Sequence, residues 1–189
     1  MSDQGIGASV RRKEDFRFLT GAGNYTDDIN RPGQLYAYIL RSPHAHAEIV
    51  GIDTSKASAG SGVNAVFTGA DLQIGGLPCG WLVNSKDGSP MVEPPHPILA
   101  KGKVRHVGDP VAVVIAETLE QAKDASELVE VLYKPLPAVV ASDEAIKLGK
   151  PQLFENAPNN ICFDAAGFAL VAIKCDITSN VWFRRSISV

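Results

Sequence analysis

The chain has 189 residues, 45% hydrophobic and 21% charged, which is ordinary globular composition with length for one domain and a core. A net charge of −3 at pH 7 gives no broad basic field for nucleic acid, and no apolar run approaches the ~18 residues needed to span a bilayer. Residues 1–18 carry Arg11, Arg12, Lys13, Glu14 and Asp15 where an export signal would carry an apolar stretch, so a cytoplasmic location is expected.

Residues 1–33 read as an irregular arm, because Gly21, Gly23, Asn24, Asp27, Asp28, Asn30, Pro32 and Gly33 interrupt any long element. Leu35 to Leu40 is a compact apolar run and reads as a buried strand. Arg41-Ser42-Pro43 stops it, since Pro43 lacks a donor and restrains Ser42. Ala47 to Asp53 reads as a second strand, with Ile49 and Ile52 off phase by one residue. Thr54 or Ser55 is placed to cap a short helix reaching Ala59. Val63 to Thr68 is a third strand, followed by a turn at Gly69-Ala70-Asp71-Leu72. From Gly75 to Pro97, Pro78, Gly80, Gly88, Pro90, Pro94, Pro95 and Pro97 predict a long surface excursion of the kind often used for function or partners. Val104 to Val107 and Val111 to Ala116 read as further strands, the latter apolar enough for a central one.

Thr118-Leu119-Glu120-Gln121 fits a capping box, with Thr118 as N-cap and Gln121 reaching back. Leu119, Ala122, Ala125, Leu128 and Val129 then recur at helical spacing. Burial of Leu119 and Leu128 against a sheet is expected to contribute roughly 1.5–3 kcal/mol each. The period shortens to two over Val129 to Tyr133, a strand that Lys134-Pro135-Leu136-Pro137 ends. Ser142 is placed to cap a short helix from Asp143 to Leu148. Strands and helices alternate irregularly, so the expected fold class is α+β. The expected organisation is an arm at 1–33, a domain at 34–150, and a linker with a C-terminal tail at 151–189.

The residues by themselves assemble no catalytic, cofactor-binding or metal site. His44 and His46 share a face of an extended chain, but no third ligand stands at a usual spacing. His96, between prolines, and His106, in an expected strand, read as structural. Gly21-Ala22-Gly23-Asn24 lacks the Lys-Ser/Thr of a phosphate loop and reads as a tight turn. Asp27 and Asp28 would point to opposite faces of an extended chain. Cys79, Cys162 and Cys175 are odd in number and form no C-x-x-C pair, so free thiols are expected. Cys79 has no histidine in its local sequence to activate it, although the fold could supply one.

The segment Arg12-x-Glu14-Asp15-x-Arg17-Phe18-Leu19-Thr20-Gly21-x-Gly23-x-Tyr25-x-Asp27-Asp28-Ile29 resembles the opening of the large subunit of molybdenum hydroxylases. That family includes xanthine dehydrogenase, aldehyde oxidase and bacterial aerobic carbon monoxide dehydrogenase. The resemblance continues through Arg41-Ser42-Pro43-His44-Ala45-His46-Ala47, Ile52-Asp53-Thr54-Ser55 and Thr68-Gly69-Ala70-Asp71-Leu72. Val107-Gly108-Asp109-Pro110-Val111-Ala112, Ala116-Glu117-Thr118 and Ala122-x-Asp124-Ala125 extend it, and Val129-Glu130-Val131-x-Tyr133-x-Pro135-Leu136-Pro137 completes it.

The resemblance implies an α/β hammerhead domain with an extended N-terminal arm, standing at the front of a much longer subunit. The molybdopterin cofactor, the glutamate base and the glutamine near the metal would all lie downstream. No catalytic, cofactor-binding or metal residue therefore transfers to this sequence, and no cofactor is expected on this chain. FAD and [2Fe-2S] clusters would sit on partner subunits, so iron–sulfur and flavin subunits are the implied partners. The implied identity is an N-terminal fragment of an oxidoreductase subunit that is inactive alone. The alternative is a non-catalytic hammerhead module that binds a protein partner. The family pattern lapses after Asn160-Ile161-Cys162, where residues 163–173 form a compressed apolar stretch. Lys174-x-Asp176-Ile177-x-x-Asn180 again resembles a family strand, which normally runs on as Arg-Leu-Val-Pro. Val181-Trp182-Phe183-Arg184 stands there instead, a reading that one deleted nucleotide would produce, so the tail is expected to be a frameshift product that adds no native element.

Overall fold

The computed structural model describes residues 12–164, which fall into two compact units, 12–34 and 35–164. The tail from residue 165, with the stretch 174–180 that resembles a family strand, lies outside the described residues.

The first unit is less irregular than its glycines suggest, for Asp15–Leu19 form a short helix, α1. Arg12 pairs with Asp15 at 3.1 Å and Arg17 with Glu14, a spacing that brings side chains together on a helix. The chain then turns sharply. Gly21 takes a φ of 73°, and the Ala22 N–H donates to the Arg17 carbonyl at 2.9 Å. Gly23 lets the Phe18 ring lie over the backbone, and Phe18 stacks on Tyr25 at 5.3 Å. Asp27 and Asp28 sit in a 3-10 turn, not on the extended chain expected, and Asp28 Oδ2 accepts the Tyr25 N–H.

In the second unit six strands form two antiparallel sheets. β1 (Tyr36–Arg41), β5 (Pro110–Ala116) and β3 (Val63–Thr68) make one, with β5 central. β4 (Lys103–Val104), β2 (Ala47–Asp53) and β6 (Glu130–Pro135) make the other, with β2 central. The apolar run of β5 earns its central place, for Ala112, Val114 and Ala116 are wholly buried beneath helix α3 (Leu119–Glu127). Two short helices, α2 (Ser55–Ser58) and α4 (Ser142–Ala145), complete the unit. The fold class is therefore α+β, as the irregular alternation implies.

Several local expectations are corrected. Asp53 Oδ1, not the side chain of Thr54, accepts the Ser55 N–H at the start of α2. Ser142 lies inside α4, with Ala141 at its N-cap. β4 is only two residues long. The chain turns after Val104, because Asp109 Oδ2 accepts the Arg105 N–H at 2.9 Å and Gly108 takes a φ of 89°.

The capping box of α3 forms as expected: Thr118 Oγ1 accepts from Gln121 N at 3.2 Å and Gln121 Oε1 accepts from Thr118 N at 3.0 Å. A Cβ on Gly62 would lie 2.3 Å from the Gln121 side chain, so only glycine leaves room for this closure. The buried stripe of α3 is Ala122, Ala125 and Ser126, while Leu128 remains 45% exposed. The helix thus packs through small side chains, and Leu128, at its C-cap, stays outside that buried stripe. The expected contribution of Leu128 is accordingly reduced.

A polar junction between two loops

The Arg41–Ala47 and Val107–Ala112 segments, far apart in sequence, meet at one end of the unit. Ser42 N donates to the Asp109 carbonyl at 2.9 Å, and Gly108 N returns a bond to the Ser42 carbonyl at 2.8 Å. Arg41 Nη1 adds a bond to the Gly108 carbonyl at 2.9 Å. Ser42 is itself buried, and its hydroxyl accepts the His44 N–H at 3.0 Å. Each loop thus satisfies backbone groups that the other would leave unpaired.

The two candidate histidines serve different neighbours. His44 presents its ring edge-on to Tyr133 at 4.8 Å. His46 is 8% exposed, and its Nδ1 donates to the Pro137 carbonyl at 2.9 Å. Burial pushes the Tyr133 phenol pKa up, a hydrogen bond with Ser42 opposes that shift, and the Asp109 charge adds to it. His46 therefore ties the start of β2 to the segment after β6, where the Leu136 N–H bonds its carbonyl at 2.9 Å.

Beside this junction lies a concavity of about 60 Å³, lined by Pro94 to Pro97, Lys103, Arg105, His106, Asp109 and Phe154. The structure thus brings His96 and His106 to one wall. Arg105 is clamped: its guanidinium lies over the Phe154 ring at 4.4 Å and its Nε donates to the Leu153 carbonyl at 3.0 Å. Burial lowers the Arg105 pKa, opposed by the charges of Asp109 and Glu155. His106 Nδ1 stands 3.7 Å from Asp109 Oδ2. Sequence reasoning passed over Arg105, Asp109 and Phe154. The available signal was the Gly108-Asp109-Pro110 turn triplet, which should have cut the strand expected over Val104 to Val107.

Cys79 lies elsewhere, on the 75–97 excursion, which folds back on itself. Its N–H donates to Glu93 Oε1 at 2.6 Å and its thiol to the Trp81 carbonyl at 3.3 Å. Cys162 is buried, and its carbonyl accepts from Val92 N at 2.8 Å. Lys86 N likewise bonds the Asp164 carbonyl at 2.8 Å. Cys162 and Asp164 are thus hydrogen-bonded to the 75–97 excursion, and the rest of the tail expected to add no native element lies outside the described residues.

Among the described residues no group of three His, Cys, Asp or Glu is placed to hold a metal ion. The concavity of about 60 Å³ is far smaller than the ~150 Å³ that accommodates one benzene ring, and a second of about 300 Å³ opens between the 85–92 segment and residues 161–164. No chemical step is assigned to the described residues through a molybdenum–pterin group. Among them, no helix is long and apolar enough to cross a membrane.

One antiparallel sheet lies under the capped helix, a second shares its core through Ile52 and Val131, and the loop junction closes one end. The chain matches the model of the aldehyde oxidase and xanthine dehydrogenase a/b hammerhead domain over residues 20–137, and it belongs to that family. The nicotine 6-hydroxylase large subunit of Paenarthrobacter nicotinovorans is 42% identical over 158 residues, 82% of this chain and 19% of that one. The carbon monoxide dehydrogenase large chain of Afipia carboxidovorans is 42% identical over 153 residues, 81% of this chain and 18% of that one. Quinoline 2-oxidoreductase of Pseudomonas putida 86 shares the fold with a TM-score of 0.68 at 40% identity, across 77% of this chain and 18% of that chain. The chain thus spans about a fifth of the length of the relatives it matches, and corresponds to the N-terminal part of molybdenum hydroxylase large subunits.

Proposed function

We propose that this chain supplies the non-catalytic front of a molybdenum hydroxylase large subunit, with an arm at 1–33, the hammerhead domain at 34–150 and a linker beyond. Its role is to fold independently and present docking surface. The hydroxylation chemistry belongs to residues this chain does not contain, with molybdopterin on the remainder of the subunit. Iron–sulfur and flavin subunits are the partners in this reading, and the assembly is cytoplasmic. The observation that carries it is the family match over residues 20–137, in relatives of which the chain covers only about a fifth. The test is expression of the chain in a host that makes the molybdenum–pterin cofactor, followed by elemental analysis. Molybdenum and iron far below one per chain is the expected result. Near-stoichiometric molybdenum or iron would overturn the reading.

One observation favours a stand-alone interaction module as the second reading. The 75–97 excursion exposes Leu77, Leu82 and Trp81, the last 72% exposed, and exposed apolar side chains of this kind are used at contact surfaces. The DNA following the gene separates the two. A frame encoding cofactor domains supports the first reading, and an unrelated frame supports the module.

A further inference from the structure

We infer that the concavity lined by Pro94, His96, Lys103, Arg105, His106 and Phe154 binds a small oxyanion, a phosphate or carboxylate group. Its volume of about 60 Å³ admits one such head group and excludes an aromatic ring. Two permanent cations, Lys103 and Arg105, reach the wall, and Asp109 is the one carboxylate among the lining residues. That carboxylate is already engaged, since it accepts the Arg105 N–H and faces His106 Nδ1. Lys103 has no carboxylate within ion-pair distance among the described residues.

Arg105 is preorganised for an anion. Stacking on Phe154 and the bond from Nε to Leu153 fix the plane of the guanidinium. Its two terminal nitrogens form no hydrogen bond with the described residues, and such a fork matches an oxyanion's geometry. The downward shift of its pKa has the same origin, a half-buried positive charge that its acidic neighbours do not fully offset. A bound anion would complete that compensation. The inference stands apart from the proposed role of the chain, because it concerns only groups within the second unit.

The test uses the full chain and two ligands, inorganic phosphate and acetate, at ionic strength held constant with sodium chloride. The C2–H resonances of His96 and His106 report on the site by NMR. Saturable shifts with one-to-one stoichiometry are expected. Lys103→Gln should weaken binding roughly tenfold, the effect of losing one charge-assisted contact. Arg105→Lys, which keeps charge but loses the fork, should weaken it as well. Lys103 is half-buried on a two-residue strand, so Lys103→Gln keeps the test decisive if the Arg105 variant unfolds. Tighter phosphate binding supports the site with a phosphorylated ligand, whereas acetate binding as tight supports it with a protein carboxylate. Shifts that never saturate, or unchanged binding in a folded Lys103→Gln variant, would overturn the inference.

Discussion

Asn160 is 5% exposed and holds three backbone groups at once. Its Nδ2 donates to the Ala145 and Pro151 carbonyls, both at 2.9 Å, while its Oδ1 accepts the Leu153 N–H at 2.9 Å. Its backbone φ is 56°, in the left-handed region that asparagine tolerates better than most residues. Asn160→Ala removes all three bonds. A buried group left unsatisfied costs ~1–3 kcal/mol, and only the bond to Ala145 is wholly buried, so about 3 kcal/mol is expected from the three together. The left-handed backbone adds about 1 kcal/mol for alanine but nothing for glycine. Asn160→Gly should therefore lose about 3 kcal/mol and Asn160→Ala about 4. Asn160→Asp keeps the acceptor for Leu153 but turns a carboxylate toward two carbonyls, which raises its pKa in the folded state. The folded state then binds the proton more tightly, so this variant should be most stable below the unfolded carboxyl pKa of about 3.9. It should lose that stability as pH rises through the raised folded value. Urea unfolding followed by circular dichroism, with slopes compared between variants, measures all three. A loss under about 1 kcal/mol for Asn160→Ala at unchanged slope would refute the account.

Thr118→Ala should cost about 1 kcal/mol by removing the cap on α3, read as a lower urea midpoint at unchanged slope. In a Cys175→Ser background, iodoacetamide should modify exposed Cys79 at least roughly tenfold faster than Cys162, as peptide mass spectrometry of timed samples will show. Burial, and secondarily Cys79, raises the Cys162 thiol pKa. Its contribution to stability is thus complete below the unfolded thiol pKa of about 8.5 and lost as pH rises through the folded value, so a Cys162→Ala variant should show a flatter midpoint between pH 8 and 10. A chain ending at Asn160 should be about 2 kcal/mol less stable than one ending at Asp164. The shorter chain loses the bonds from Val92 and Lys86 and the burial of Cys162; equal thermal midpoints would count against this.

Much of this fold is legible wherever the signal is local. The Thr118–Gln121 box needs only four consecutive residues, and it forms as read. The phase break between Ile49 and Ile52 is a real structural mark: the register of β2 against β6 slips between Ile49 and Gly51. Val50 is the extra residue of that bulge, turned to solvent, so both isoleucines can pack inward. Non-local features were not legible. Nothing near Leu128 in sequence reveals that the buried stripe of α3 runs through Ala122, Ala125 and Ser126 and leaves this leucine half-exposed. Nor could Arg105 be paired with Phe154 without the fold that joins them. The Arg41–Ala47 and Val107–Ala112 words of the resemblance are an intermediate case. They were recognised as separate strings, and the structure gives their joint occurrence a cause in the backbone bonds they exchange.

Ile52 and Val131 pack against both buried clusters, the one beneath α3 and the one around Val104 and Val111. They oppose each other across the β2–β6 pair. Neither sheet can therefore shed its interior side chains without stripping contacts from the other. The two sheets should behave as one cooperative unit, with amides of β2 and β5 exchanging through the same global opening rather than through separate local ones. For the same reason substitutions made in the two clusters should not be additive when either includes Ile52 or Val131. The two halves of the domain are thus locked together through the same two residues, Ile52 and Val131.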